Sequence, residues 1–104
     1  MRAFRAFEMR EEMLGCLEDH AALAERTGEH ESAARLYAAV DRARSRFALS
    51  RTPRAERRVQ ASRAELRTAM GEAFVSAQAV GDRWEIGQAV AQALAIPNTE
   101  LVSA

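Results

Sequence analysis

With 104 residues, 48% of them hydrophobic and 29% charged, the chain is long enough to bury somewhat over ~60% of its unfolded surface in one domain. Its fifteen basic residues are all arginine and balance fifteen acids, and only two prolines and five glycines interrupt alanine-rich stretches that favour helix over sheet. Cys16 is the only cysteine, which excludes an intrachain disulfide or a multi-cysteine metal site; no run reaches the ~18 apolar residues of a bilayer span and no apolar secretory segment opens the chain, so a cytoplasmic protein is expected.

The first helix is predicted over residues 3–26. Phe4, Phe7, Leu14, Leu17, Ala21 and Ala24 recur at helical spacing, with a second stripe of Met9, Met13, Cys16, His20 and Leu23 beside it. A helix apolar on two sides needs neighbours on two sides. Gly28 follows, suited to the positive φ that closes a helix. The second helix, 30–47, offers Ala33, Leu36, Tyr37 and Val40 to a core. The stretch "ALSRTP" breaks the periodicity, and Thr52 before Pro53 forms an N-cap with proline at the first helical position of a third helix running to residue 70.

That third helix has one sparse stripe of Ala55, Val59, Ser62, Leu66 and Ala69, as expected of a helix lying on the surface of a bundle. Gly71 ends or kinks it, and a short fourth helix over 72–80 buries Phe74, Ala77 and Val80. The fifth, 85–95, is expected to bury Ile86, Val90, Ala93 and Leu94 and to stop ahead of Pro97, with Asp82 as its cap if it begins a turn early. Trp84 is expected to pack back as an apolar anchor where the fourth and fifth helices meet. Residues 1–96 then form one all-helical domain and 97–104 a flexible tail.

Residues 17–45 match the spacing W-x2-L-G-x2-Y followed by A-x3-F. Leu17 stands at the Trp position, Ala21 and Ala24 at the Gly and Tyr positions, and Ala33 with Tyr37 supplies A-x3-F. His20 at the Leu position and Ser45 at the terminal Pro depart from the pattern. This segment resembles one tetratricopeptide repeat. With "TPRAERRVQASRAEL", "MGEAFVSAQAVGDRW" and "IGQAVAQALA" following in order, residues 8–95 resemble the C-terminal end of the helical-repeat region in large bacterial LuxR-type and AfsR-like ATP-dependent transcriptional regulators and some adenylate cyclases. The resemblance implies an all-α fold, an antiparallel hairpin of tetratricopeptide type plus about three further helices, as a fragment of an α-α superhelix or a small bundle. It also implies a sensing or partner-binding arm, since the ATPase, DNA-binding and cyclase parts of such proteins lie elsewhere.

Charge is unevenly spread, with acidic ends flanking a basic segment over residues 42–67. This expects internal pairing or head-to-tail self-association. Within that segment Arg42 with Arg46, Arg54 with Arg58, and Arg63 with Arg67 are i, i+4 pairs that suit a phosphate-facing ridge, so nucleic-acid backbone binding is a third functional reading. Only Phe47 is present for base stacking there.

No catalytic residue, metal ligand set or cofactor motif is assigned. His20 and His30 are the only neutral-pH bases, and no glycine-rich phosphate loop or paired carboxylate stands out. Cys16 and His20, one turn apart, read as a small buried thiol beside a structural histidine rather than a zinc pair. The leading expectation is a non-catalytic protein-protein interaction or assembly module. It self-associates as a homodimer through the first helix, with Phe4, Phe7, Met9, Met13 and Leu14 at the interface. The runner-up is a regulatory fragment of a larger transcriptional regulator or cyclase that binds an effector.

Overall fold

Among the described residues of the computed structural model five helices follow one another: α1 (Arg2–Arg26), α2 (His30–Phe47), α3 (Pro53–Met70), α4 (Glu72–Gly81) and α5 (Ile86–Ala95). The backbone is described for residues 2–95 and the side chains for 8–95; the side chains of Phe4 and Phe7, expected at the interface, and the expected tail 97–104 lie outside what is described. The fold is all-α, a small helical bundle with no strand among the described residues.

Local chemistry sets each boundary. At the end of α1 the amide of Glu29 donates to the Ala24 carbonyl at 2.8 Å and that of Gly28 to Glu25 at 3.2 Å, with Gly28 at φ 85. This paired closure turns the chain back on itself, so α1 and α2 form an antiparallel hairpin. The same closure ends α2, where Leu49 N–H meets the Arg44 carbonyl at 2.9 Å, but here Ala48 occupies the left-handed position at φ 55. The Thr52 hydroxyl accepts from the Ala55 amide at 3.1 Å and Pro53 follows it, opening α3 as the sequence predicts. Gly71, at φ 61, separates α3 from α4 outright rather than kinking one helix. Asp82 does not cap α5; its amide bonds the Gln78 carbonyl at 2.9 Å and closes α4 instead.

α2 lies at the centre, packed by all four other helices. Ala33, Ala34, Ala38, Ala39 and Ala43 are buried along it, so neighbours approach closely on several sides. α4 approaches α2 closely at Gly81, where an added Cβ would clash with the Arg35 carbonyl oxygen and stand 2.8 Å from its carbon. Leu14, Leu36, Val40, Leu66 and Phe74 are the largest fully buried side chains. Each removes apolar surface worth about 1.5–3 kcal/mol. Trp84 packs partly buried against this core beside Arg46 and Phe47 of α2.

Three expectations about burial are corrected. Ala69 and Val80 are exposed, because α3 and α4 touch the rest only along narrower lines through Val59, Leu66, Phe74 and Ala77. On α5 the alanines Ala89 and Ala93 turn inward, since the alanine-lined α2 leaves room only for small side chains. That rotation leaves Ile86 and Val90 half-buried and Leu94 75% exposed.

Candidate docking grooves

The second stripe of α1 ends on the surface. Met9 is 57% exposed and Met13 39%, and Cys16 is exposed as a free thiol instead of buried. Opposite them α5 offers Val90 and Leu94, and between the two helices runs a groove of about 370 Å³. Nearly all its lining is apolar, with Glu12 and His20 as its polar edges. Leu14, expected at an interface, is 0% exposed and belongs to the protomer's own core between α1 and α2. The spacing of four and three residues that carries Leu14 and Leu17 inward necessarily carries Met9, Met13 and Cys16 outward. Sequence reasoning found the methionine wall but not the opposite wall. The signal was present in α5, where Ala89 with Ala93 and Val90 with Leu94 form adjacent i, i+4 rows and only the smaller row fits against α2.

A second groove, about 840 Å³, runs between α1 and α3 with Tyr37 of α2 on its floor. On the α1 side its lining carries the carboxylates of Glu12, Glu18, Asp19 and Glu25 together with Arg26 and small residues, and Arg58 and Glu65 face them from α3. Burial, and then a hydrogen bond with Glu65, raise the Glu25 carboxyl above its ordinary range, while Ser62 and His30 act in the opposite direction. Burial also raises the Tyr37 phenol, and Ser62 again opposes. Cys16, Tyr37, Ala55, Arg58, Val59 and Ser62 each stand in a periodic stripe or pair of the sequence, but spacing within single helices did not bring them together, because the groove's members come from three helices.

The acidic first helix and the basic middle pair within the protomer. Arg44, only 7% exposed, forks onto Glu18 at 3.2 and 3.0 Å, reaches both oxygens of Glu11 at 3.1 Å, and donates to the Leu49 carbonyl at 2.8 Å. Arg51 joins Glu18, Asp41 and Glu56, and Arg63 joins Asp41. One network thus ties α1, α2, the following loop and α3.

This pairing disperses the arginines that were grouped as a ridge. Arg63 turns inward, with its side chain 15% exposed; Arg42 donates to the Asp82 carbonyl; Arg46 pairs with Glu85 at 3.1 Å; Arg67 lies 5.1 Å over the Phe74 ring. Arg54 and Arg58 remain exposed, and Arg58 borders the acidic groove. At 100° per residue, Arg54 and Arg63 project from opposite sides of α3, so the six side chains do not share a face.

His20 commits its Nδ1 to the Cys16 carbonyl at 2.9 Å, within its own helix. Among the described residues no three His, Cys, Asp or Glu side chains cluster as a metal site, and none of the described helices is long and apolar enough to cross a membrane. No protein-family model, no curated protein and no solved structure matches this chain.

Proposed function

We propose that this chain is a non-catalytic docking module that binds another protein segment in the apolar groove between α1 and α5. The observation that carries the reading is the exposure of Met9, Met13 and Leu94 on facing walls of one groove. Large apolar side chains gathered in a concavity, rather than scattered singly, are what interfaces are made of. Methionine suits such a wall because its unbranched thioether repacks around varied partners. The tetratricopeptide-like spacing of residues 17–45 is consistent with this, since repeats of that kind stack against neighbouring segments.

Self-association through α1 as a homodimer is one form of this reading, and capture of a different chain is the other. The double substitution Met9→Glu with Leu94→Glu tests both forms at once, because both residues are exposed and the fold does not depend on them. Sedimentation velocity and affinity capture should show associations of the wild type that the double variant loses. Identical oligomeric state and identical captured proteins for the two chains would remove the groove from the function.

A second reading draws on the groove between α1 and α3. Its size, the Glu12, Asp19 and Glu25 carboxyls on its α1 side and Tyr37 with Ser62 in its lining suit a small cationic effector, as expected of the sensing arm of a larger regulator. Nucleic-acid binding is less well supported, because the arginines it requires are split around α3 and engaged internally.

A further inference from the structure

We infer that the partner in the α1/α5 groove is an amphipathic helix with a basic edge, belonging to another protein rather than to a second copy of this chain. The inference rests on the docking reading above and adds the partner's chemistry.

Three features of the groove define its occupant. The first is shape: two helices set side by side leave a channel into which the ridge of a third helix packs. Along α1 the exposed stripe from Met9 to His20 spans about 17 Å at 1.5 Å per residue, which is about three turns of a partner helix. The second is lining: Met9, Met13, Leu17, Val90 and Leu94 ask for apolar anchors at i, i+3 or i+4, and i+7.

The third feature is charge. Glu8, Glu12 and Asp19 are all exposed, and their spacings of four and seven residues set them along the same edge of α1, the ridge between the two grooves, with Glu12 lining both and Asp19 the one toward α3. The other wall, α5, reads IGQAVAQALA and carries no charge at all. An occupant therefore meets an acidic border on one side only, and lysine or arginine along the matching edge satisfies it. A second copy meets this border badly. In a two-fold interface with the α1 helices antiparallel the same edge faces itself, so the acidic border of one copy would lie along that of the other, with like charge against like.

The test uses fluorescence anisotropy at low salt with three labelled synthetic peptides. One is a leucine-lysine amphipathic helix, one is the same sequence with every lysine replaced by glutamate, and one is a scrambled leucine-lysine peptide of unchanged composition. The expected result is saturable binding of the first, at least about tenfold tighter than either control, and its loss in the Met9→Glu, Leu94→Glu variant. The variant Glu12→Lys with Asp19→Lys should reverse the preference toward the glutamate peptide while its thermal melt stays unchanged.

Equal binding of the lysine and glutamate helices would overturn the inference and leave docking intact. Equal binding of the scrambled peptide would show diffuse attraction between charges and would also overturn it. Should no peptide bind while the wild type self-associates and the Met9, Leu94 variant does not, the occupant is a second copy, and the inference alone fails. Absence of both peptide binding and self-association would defeat the docking reading together with it.

Discussion

The guanidinium of Arg44 on α2 and the carboxylate of Glu18 on α1 meet as a two-pronged fork, Nε to Oε2 at 3.2 Å and Nη2 to Oε1 at 3.0 Å. Arg44 is 7% exposed, so its removal leaves Glu11 and the Leu49 carbonyl without the donor that serves them. Breaking a buried pair from one side costs about 3–5 kcal/mol. Part of that is recovered here because Arg51 still holds Glu18. Arg44→Ala should therefore destabilise by about 3 kcal/mol in urea unfolding, and Arg44→Lys should restore little, because an ammonium cannot fork.

Gly81 should tolerate no side chain. Its missing Cβ is where the α2 backbone passes at Arg35, and neither backbone can move without disturbing the alanine contacts beside it. Overpacking of this kind costs about 1–3 kcal/mol. Gly81→Ala should lower Tm by about 10 °C, while Ala79→Gly, on the exposed side of the same helix, should cost only about 1 kcal/mol.

Two positions carry each other's preferred residue. Ala48 sits in the left-handed region at φ 55, which costs an L-residue about 1 kcal/mol. Gly15 sits inside α1 with nothing within 4 Å of where its Cβ would be. Ala48→Gly and Gly15→Ala should each stabilise by about 0.5–1 kcal/mol. Both lie close to the Arg44 network, Gly15 between its partners Glu11 and Glu18 and Ala48 beside its partner Leu49, so chemical denaturation of the double variant measures how far the two gains couple.

Glu25 and Glu56 should give opposite pH dependence. Burial and Glu65 raise the Glu25 carboxyl, so the fold favours its protonated form. That contribution is present at low pH and is lost as pH rises from the ordinary 4.5 through the raised value. Hydrogen bonds from Gln60 and Arg51 lower Glu56, whose contribution is present above 4.5 and lost as pH falls through the lowered value. At neutral pH Glu25→Gln should raise Tm and Glu56→Gln should reduce it, and pH-resolved melting curves separate the two. Equal responses of the two variants would contradict the assignment.

The helix boundaries were legible because each is written in adjacent residues: Gly28 for one closure, Thr52-Pro53 for an opening, Gly71 for a break. The closure at Ala48 was not, since alanine carries no mark of the left-handed region it occupies. Burial could be read on α1 and α2, where Leu14, Leu17, Leu36 and Val40 have the size to define a face. It failed on α5, where the choice between the Ala89 row and the Leu94 row is made by how close α2 stands. The methionine wall was visible in the α1 periodicity, but a groove needs two walls, and the orientation of α5 is set by contacts distant in sequence. The arginine grouping treated 54 to 67 as one surface and missed the rotation of half a helical circuit between its two pairs.

The fully buried side chains of α5 are the methyl groups of Ala89 and Ala93, with Ile86 and Val90 half-buried beside them, and these alanines bury far less surface than the leucines anchoring α1. Its amides should exchange with deuterium well ahead of those of the central helix, since local opening follows the area that must be uncovered. One bank of the channel is thus loosely moored and the other fixed. The gap between them adjusts its width to whatever side chains enter, at the expense of a few small or half-buried contacts.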